Sequence, residues 1–213
     1  MVDPERLAGW VDGFAQRHGA VVSSWSQDVV TVVATDGAVA ELQVPFPPLS
    51  GSSSGDPIHR FVEHAGRDRV VGVLLVRRGG YAAGVFEGDR LVVSKVGSRH
   101  VQGRSAAGGW SQQRFARRRA GQGKIAMQAA ADVAVAILLP HTRRLDGVVL
   151  GGDRASVAAV LEDSRLAPLR SLPRGPHLDV PDPRLVILER AVRQFRAVRI
   201  RVVDADDGGH GAG

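Results

Sequence analysis

The sequence predicts an α/β fold built on a mixed β-sheet, with a smaller α+β portion at the N-terminus. Three closely spaced apolar runs follow residue 68, and a long helical pattern follows the third run. Strand and helix patterns then alternate as far as residue 203. Hydrophobic residues make up 44% of the 213-residue chain, so the sequence can form a core and is not that of a disordered protein.

The N-terminal portion covers residues 1–67. Its predicted elements are a helix, three short strands, an irregular proline-rich connector and a short helix, at Pro4–His18, 21–25, 29–34, 39–44, 45–57 and Ile58–Ala65. Pro4–His18 carries apolar residues at the spacing of one helical face, whereas the strand runs are rich in valine. The connector contains four prolines, which disfavour regular structure.

The main domain is predicted to cover residues 68–203 and to be followed by a disordered tail at 204–213. Its first three strands are joined by Arg78-Gly79-Gly80 and Glu87-Gly88-Asp89, links short enough for hairpins, so these strands should be antiparallel. The later elements are expected as helix, strand, helix, helix and strand, at Ser111–Leu138, 147–153, 154–163, 183–195 and 198–203. Three antiparallel strands followed by right-handed crossovers to parallel strands suggest a ribonuclease-H-like mixed sheet. A generic α/β sandwich is the alternative.

Composition excludes several classes of site. The chain has no cysteine, which excludes a disulfide scaffold and any cysteine-based zinc site or nucleophile, and fits a reducing cytoplasm. The N-terminus shows no signal peptide, and no run of about 18 apolar residues occurs, so we expect a cytoplasmic protein with no membrane partner.

Positive charge is concentrated in one part of the chain. The net charge is +6, from 28 Lys+Arg against 22 Asp+Glu. Between Arg90 and Ala131 there are nine basic residues and no acidic one. A solvated helix face usually carries both signs, so a block of one sign this long favours contact with phosphate.

A loop rich in glycine and small residues lies inside this basic block. Gly103, Gly108 and Gly109 surround Ser105-Ala106-Ala107, so the backbone carries little side-chain bulk and can approach another chain closely. Ser111 can cap the following helix, whose first N–H groups attract anions. The arginines of the helix start share one side at three- and four-residue spacing, which favours insertion into an RNA cavity over a simple strand-to-helix link.

The segment Gly108-Gly109-Trp110-Ser111-Gln112-Gln113-Arg114-Phe115-Ala116-Arg117 resembles the catalytic loop of eukaryotic and archaeal class-one peptide-chain release factors. Those factors carry Gly-Gly-Gln, then Ser, two variable residues, Arg-Phe and a basic helix. The match holds at the glycines, the serine, Arg114, Phe115 and Arg117, and the order of elements over about 69–203 is similar to their ribonuclease-H-like middle domain.

The sequence departs from that pattern at Trp110, which stands where the family has its catalytic glutamine. It is more similar to the Vms-like release factors, which free nascent chains from tRNA during ribosome rescue, and most similar to their actinobacterial branch, which are peptidyl-tRNA hydrolases. The resemblance implies that Gln112 or Gln113 takes the catalytic place beside Gly108 and Gly109. We favour Gln112 because it is nearer the helix start, where free N–H groups collect.

The resemblance also implies partners and contacts. The partners would be peptidyl-tRNA and the peptidyl-transferase centre of the large ribosomal subunit, with no cofactor. The residues expected to contact RNA are those of the loop and the helix start, Arg104, Trp110, Ser111, Arg114, Arg117, Arg118, Arg119 and Lys124. Trp110 could stack on a nucleobase or fill an apolar position beneath the loop. With so many small residues, we expect the loop at 104–110 to be mobile.

Two other functions are compatible with parts of this sequence. A ribosome- or tRNA-binding module without catalysis could keep the basic loop, as Trp110 permits. A metal-dependent nuclease would need several converging carboxylates beginning on the first strand, but Val70–Val76 has none. Asp146, Asp153 and Asp163 are too widely spaced to propose a metal site, so we expect none.

Overall fold

The structure is a computed structural model that describes residues 1–50, 55–98 and 111–204, and for 111–123 it describes the backbone only. It divides into two compact units, Met1–Asp68 with Arg193–Gly213, and Arg69–Val192. Whether these units fold independently, as a domain boundary at 67/68 implies, stays a prediction. The expected mobile loop at 104–110 and disordered tail lie outside the described residues, apart from Asp204.

Two four-stranded sheets and six α-helices make up the described residues. In chain order the elements are α1 (Leu7–His18, after a 3-10 turn at Pro4–Arg6), β1 (Val21–Trp25), β2 (Val29–Ala34), β3 (Val39–Gln43), α2 (Pro57–Gly66), β4 (Val70–Arg77), β5 (Gly80–Glu87), β6 (Arg90–Ser98), α3 (Ser111–Leu138), β7 (Gly147–Gly152), α4 (Arg154–Leu161), α5 (Ala167–Arg170), α6 (Leu185–Arg196) and β8 (Ile200–Val203).

The first unit contains an antiparallel sheet in the order β1-β2-β3-β8. Alternate residues of β2, namely Val30, Val32 and Ala34, are buried, as expected of a strand with one face on a core. Phe14 of α1 and Phe61 of α2 are buried in the same cluster. Asp56 begins α2 by accepting the backbone N–H groups of residues 58 and 59, at 3.0 and 3.3 Å.

The last strand belongs to this first sheet, which corrects our expectation that it would extend the mixed sheet. β8 pairs antiparallel with β3, with Ile200 opposite Leu42 and Val202 opposite Ala40. Ile200 packs against the buried cluster of the N-terminal sheet, whereas Val202 is exposed. Both ends of the described chain also meet in this unit through a bridge between Val2 and Val198.

The second unit contains the mixed sheet, in the order β6-β5-β4-β7. β4, β5 and β6 are antiparallel neighbours joined by the two predicted hairpins, and β7 is parallel to β4. The predicted fold class, an α/β mixed sheet with three antiparallel strands first, is confirmed. The segment after α5 continues beside β7, since Gly175 N donates to Val148 O and Leu178 N to Leu150 O, both at 2.9 Å.

Helix α3 covers one face of the mixed sheet with small residues. Ala126, Ala130 and Ala134 are buried, and Ala83 of β5 belongs to the same core as the last two. Within the described residues, Lys124–His141 is long and apolar enough to cross a membrane by length and composition alone. Its buried alanines and Leu138 explain this apolar character by packing against the sheet.

The end of β7 depends on a glycine. Gly152 has φ +91°, and an added Cβ would collide with the carbonyl oxygen of Val76. Asp153 follows and caps α4 by accepting from Ser156 N at 2.8 Å and from Ser156 Oγ at 2.7 Å. The Gly151-Gly152-Asp153 sequence is therefore a strand-to-helix turn with a helix cap.

We expect Gly152→Ala to lower the free energy of unfolding by about 2 kcal/mol or more, because alanine there has a strained φ as well as a backbone collision. Urea unfolding followed by circular dichroism measures the change. The matched control is Gly79→Ala in the same unit, where φ is not left-handed and the nearest atom, Asp182 Oδ1, lies 3.5 Å from the new Cβ. The control should change stability by less than about 0.5 kcal/mol. Equal effects of the two substitutions would contradict this account.

Candidate functional site at the carboxyl edge of the mixed sheet

The predicted catalytic loop connects the end of β6 to the start of α3. Gly108, Gly109, Arg104 and Trp110 lie outside the described residues. The described helix α3 includes Ser111, Gln112, Gln113, Arg114, Arg117, Arg118 and Arg119, whose side chains also lie outside the description. Lys124 is exposed. The sequence prediction that a helix runs from Ser111 to Leu138 is confirmed.

The structure fixes the edge of the sheet from which this loop departs. Ser98 at the end of β6 lies opposite Gly80, which lies opposite Arg77 at the end of β4. Val76 lies beside Gly152 at the end of β7. Strands β6, β4 and β7 thus end on the same side, which we name the carboxyl edge. In open α/β sheets, ligands bind outside the carboxyl ends of the strands.

Helix α3 runs back across the sheet and is much longer than the strands. Its C-terminal Leu138 lies beside Gly72, the third residue of β4, with Leu138 Cδ2 3.4 Å from the Cβ position of that glycine. The helix from Ala126 to Leu138 rises about 18 Å, close to the remaining length of β4. Residues 111–125 add about 22 Å of helix before Ala126.

A polar network fastens the described half of α3 to the turn after α4. Arg165 Nη2 donates to Asp132 Oδ1 at 2.6 Å and to Asp163 Oδ2 at 2.7 Å. Gln128 Nε2 donates to Asp132 Oδ1 at 3.3 Å and to Asp163 Oδ2 at 3.5 Å. Hydrogen bonds from the side chain and backbone N–H of Arg165 lower the pKa of Asp163 to about 2. This network therefore holds the part of α3 around Gln128 and Asp132 against the turn after α4.

Sequence reasoning missed the residues that surround the carboxyl edge. Arg77 Nη1 donates to Val180 O at 2.7 Å. This bond holds the chain just after the segment at 175–178 that runs beside β7. His177 Nε2 lies 3.0 Å from Gly152 O. The pKa of Asp153 is lowered, first by its hydrogen bonds from Ser156 and then by the charges of Arg78 and Arg77. The dibasic pair at a hairpin between two apolar strands was the available signal.

The side chains of Asp146, Asp153 and Asp163 do not come together in one site. Asp146 accepts the backbone N–H of Val70 at 2.8 Å, whereas Asp153 caps α4 and Asp163 pairs with Arg165. Within the described ranges, no group of three or more histidine, aspartate or glutamate side chains is arranged to hold a metal ion.

We expect Arg165→Gln to raise the pKa of Asp163 from about 2 toward the ordinary value of about 3.9, because its hydrogen-bonded cation is lost. NMR titration of the carboxyl group measures this shift. A depressed folded-state pKa stabilises the fold above the ordinary pKa and loses its effect as the pH falls toward 2. The thermal stability difference between the wild type and Arg165→Gln should therefore shrink between about pH 5 and 2.

Arg143→Gln removes another exposed arginine of the same unit and serves as the control for this experiment. It should leave the titration of Asp163 unchanged. An Asp163 carboxyl that titrates near pH 4 in the wild type would refute the network as described.

Comparison with known proteins places the chain in a family. The model of the Actinobacteria/chloroflexi VLRF1 release factor family matches residues 69–201. A search of curated proteins gives no match. Among solved structures, the chain is similar to the Vms1 mitochondrial localization core, with 10% identity, a TM-score of 0.45 and coverage of 81% of this chain and 76% of that one.

It is also similar to the archaeal translation termination factor aRF1, with 19% identity and a TM-score of 0.41. That alignment covers 91% of this chain but only 53% of the archaeal factor, so the chain spans about half the length of that protein. The family match covers well over half of the chain and includes the motif that resembled actinobacterial Vms-like factors, so that resemblance is confirmed. The chain therefore belongs to the Actinobacteria/chloroflexi VLRF1 release factor family and has a ribosome-associated, release-factor-like role.

Proposed function

We propose that this protein is a peptidyl-tRNA hydrolase that cleaves the ester between a nascent peptide and the tRNA 3′-terminal ribose on stalled ribosomes. The observation that carries the proposal is the GGWSQQRFARRR segment at 108–119, whose residues from Ser111 onward form the start of the long helix α3. The protein would act in the cytoplasm, in ribosome rescue or quality control, at the peptidyl-transferase centre of the large subunit.

The proposed reaction is addition of water to the ester carbonyl carbon. The carbonyl oxygen becomes an oxyanion, the bond to the ribose 3′-oxygen then breaks, and the water protons end on the peptide carboxyl group and the ribose hydroxyl. Backbone N–H donors suit the oxyanion because they are already oriented and carry no proton-transfer equilibrium. The backbone N–H groups of Gly108 and Gly109 are the proposed donors.

A glutamine completes the proposed site by positioning the attacking water. Its amide can donate and accept hydrogen bonds, but it cannot act as a general base near neutral pH. Gln112 and Gln113 both lie in the first turn of α3, and we assign the role to Gln112 because it is closer to the free N–H groups at the helix start. Holding the water in place supplies the entropic part of the rate enhancement.

The basic residues of α3 are assigned to RNA backbone contacts. The arginines at 114, 117, 118 and 119 and Lys124 follow the loop without an intervening acidic residue. Arginine can bind phosphate oxygens with two parallel hydrogen bonds, which suits positioning on RNA. Trp110, at the position of the family's glutamine, is assigned to stacking on a nucleobase.

A non-catalytic ribosome- or tRNA-binding module is the second candidate function, and Trp110 is the observation that favours it. Such a module would keep the phosphate contacts and lack the placed water. The two functions differ in one measurable step, which is ester hydrolysis after binding.

We expect Gln112→Ala to slow single-turnover peptide release from stalled ribosome–nascent-chain complexes by about 100-fold or more, comparable to losing one oxyanion donor. Ribosome binding should change less than about threefold, because the glutamine acts after binding. Release of a labelled nascent peptide at saturating protein measures the rate, and co-sedimentation measures binding.

Gln113→Ala tests the assignment between the two glutamines, and Gln122→Ala, farther along α3, is the matched control that should leave release unchanged. Gly109→Ala should reduce release by restricting the loop backbone. Binding by the wild type without release would reject hydrolysis in favour of the binding module, and cutting of RNA strands that requires metal ions would indicate a nuclease.

A further inference from the structure

Two exposed arginines lie at the carboxyl edge, outside the basic loop and helix. Arg78 occupies the two-residue hairpin between β4 and β5, since Arg77 pairs with Gly80. Arg154 is the first residue of α4, directly after the end of β7. They are 76 positions apart in sequence, but the pairing of Val76 with Gly152 brings their strand ends together.

These two cations have no direct partner among the described residues, where neither makes a side-chain hydrogen bond or a salt bridge. In the same unit Arg144 binds Glu87 at 2.6 Å and Arg165 binds Asp132 at 2.6 Å, whereas Arg143 and Arg170 are exposed near the opposite edge of the sheet. Asp153 is near Arg78, but its carboxylate is occupied by Ser156 as the cap of α4.

The position of Arg154 opposes a local stability rule. A cation in the first turn of a helix meets the positive end of the helix dipole, and the first turn of α4 contains no acidic residue. The negative charge that stabilises this helix end is supplied by Asp153 at the N-cap, and Arg154 does not contribute to it.

Acidic side chains are also present at this edge. Asp182 lies beside the hairpin, with Oδ1 3.5 Å from the Cβ position of Gly79, and Arg184 follows it two residues later. The edge is therefore not a uniformly basic surface. It offers a small number of separate cationic contacts, as a backbone-tracking site requires, rather than a broad positive field.

We propose that Arg78 and Arg154 form a second phosphate-binding surface, which contacts the backbone of structured RNA beside the site entered by the loop. Ser98, the last described residue before 99–110, ends β6 at the same edge, and α3 begins directly after that segment. RNA reached by the basic start of α3 is thereby brought beside the hairpin and the start of α4. The inference rests on the proposed function for the identity of the RNA, and its chemistry is that of phosphodiester groups.

The test is the salt dependence of binding to isolated large ribosomal subunits by the full chain carrying Arg78→Gln and Arg154→Gln together. Each lost phosphate contact lowers the slope of log K against log salt by about 0.7–0.9, so the double variant should lose about 1.4–1.8. Affinity at about 0.1 M salt should fall roughly tenfold, and release at saturating protein should be unchanged. Thermal unfolding should show no loss of stability, since removal of Arg154 relieves a dipole conflict.

The matched control is Arg143→Gln with Arg170→Gln, two exposed arginines near the opposite edge of the same sheet. It removes the same charge and should alter the slope and affinity little, because long-range effects are screened beyond about 10 Å at 0.1 M salt. An equal loss in the double variant and the control would overturn the proposal, as would an unchanged slope.

Subunits with and without bound peptidyl-tRNA separate the two sources of phosphate. A loss of affinity on both identifies ribosomal RNA as the source, and a loss confined to charged subunits identifies tRNA. Both results support the surface. The proposed hydrolysis is tested independently, because a wild type that binds without releasing peptide would reject hydrolysis and leave the salt dependence intact.

Discussion

The close packing of α3 on the mixed sheet is the constraint on which the rest of the second unit depends. Alanines 126, 130 and 134 of the helix are buried, and Ala83 of β5 shares the core of the last two, so the helix backbone can lie close to the strands. Everything carried by the first half of α3 takes its position from this contact. A 10° tilt would move a point 20 Å farther along the helix by about 3.5 Å, whereas a misplacement of roughly 1 Å can already slow a reaction about 100-fold. The network of Arg165 with Asp132 and Asp163 holds the packed half of this same helix and so opposes a change in its angle.

Some arginines of this unit bind other protein groups and others are exposed, a difference that the sequence does not reveal. Arg77, Arg144 and Arg165 bind other groups of the protein. Their partners are Val180 O, the Glu87 carboxylate at the end of β5 and the Asp132 carboxylate of α3. Arg78 and Arg154 are exposed and make no comparable contact among the described residues. A charge engaged inside the fold is a weak candidate for RNA binding, because a phosphate would have to displace an existing partner. The net charge of +6 is modest, but the local arrangement of exposed arginines at one edge matters more for binding RNA phosphate than the net charge does.

Local patterns predicted most of the elements, because each depends on its own residues. The bounds of α3 follow from a serine that can begin a helix and from Pro140, which ends it. Pairing between distant segments was harder to predict, as β8 illustrates. Its sequence, Ile200-Arg201-Val202-Val203, fits an edge position in either sheet, and only the structure places Ile200 and Val202 opposite Leu42 and Ala40. The edge arginines were missed for the same reason, since their proximity depends on the parallel register of β4 and β7. The chemistry-bearing residues of the loop remain predictions from sequence.

The shift of glutamine from the position of Trp110 to 112 or 113 carries a geometric consequence for the proposed chemistry. In the helix that begins at Ser111, consecutive residues advance by about 1.5 Å and rotate by about 100°. A glutamine one residue farther along therefore projects in a different direction and cannot replace its neighbour without rotation of the whole helix. Because α3 is fastened to the sheet and to Arg165, such rotation is opposed by the fold. Under the proposed hydrolysis, the choice between Gln112 and Gln113 therefore depends on the orientation of α3 that the alanine packing sets. A substitution that changes the packing of α3 is therefore expected to affect the proposed catalytic position as well as stability.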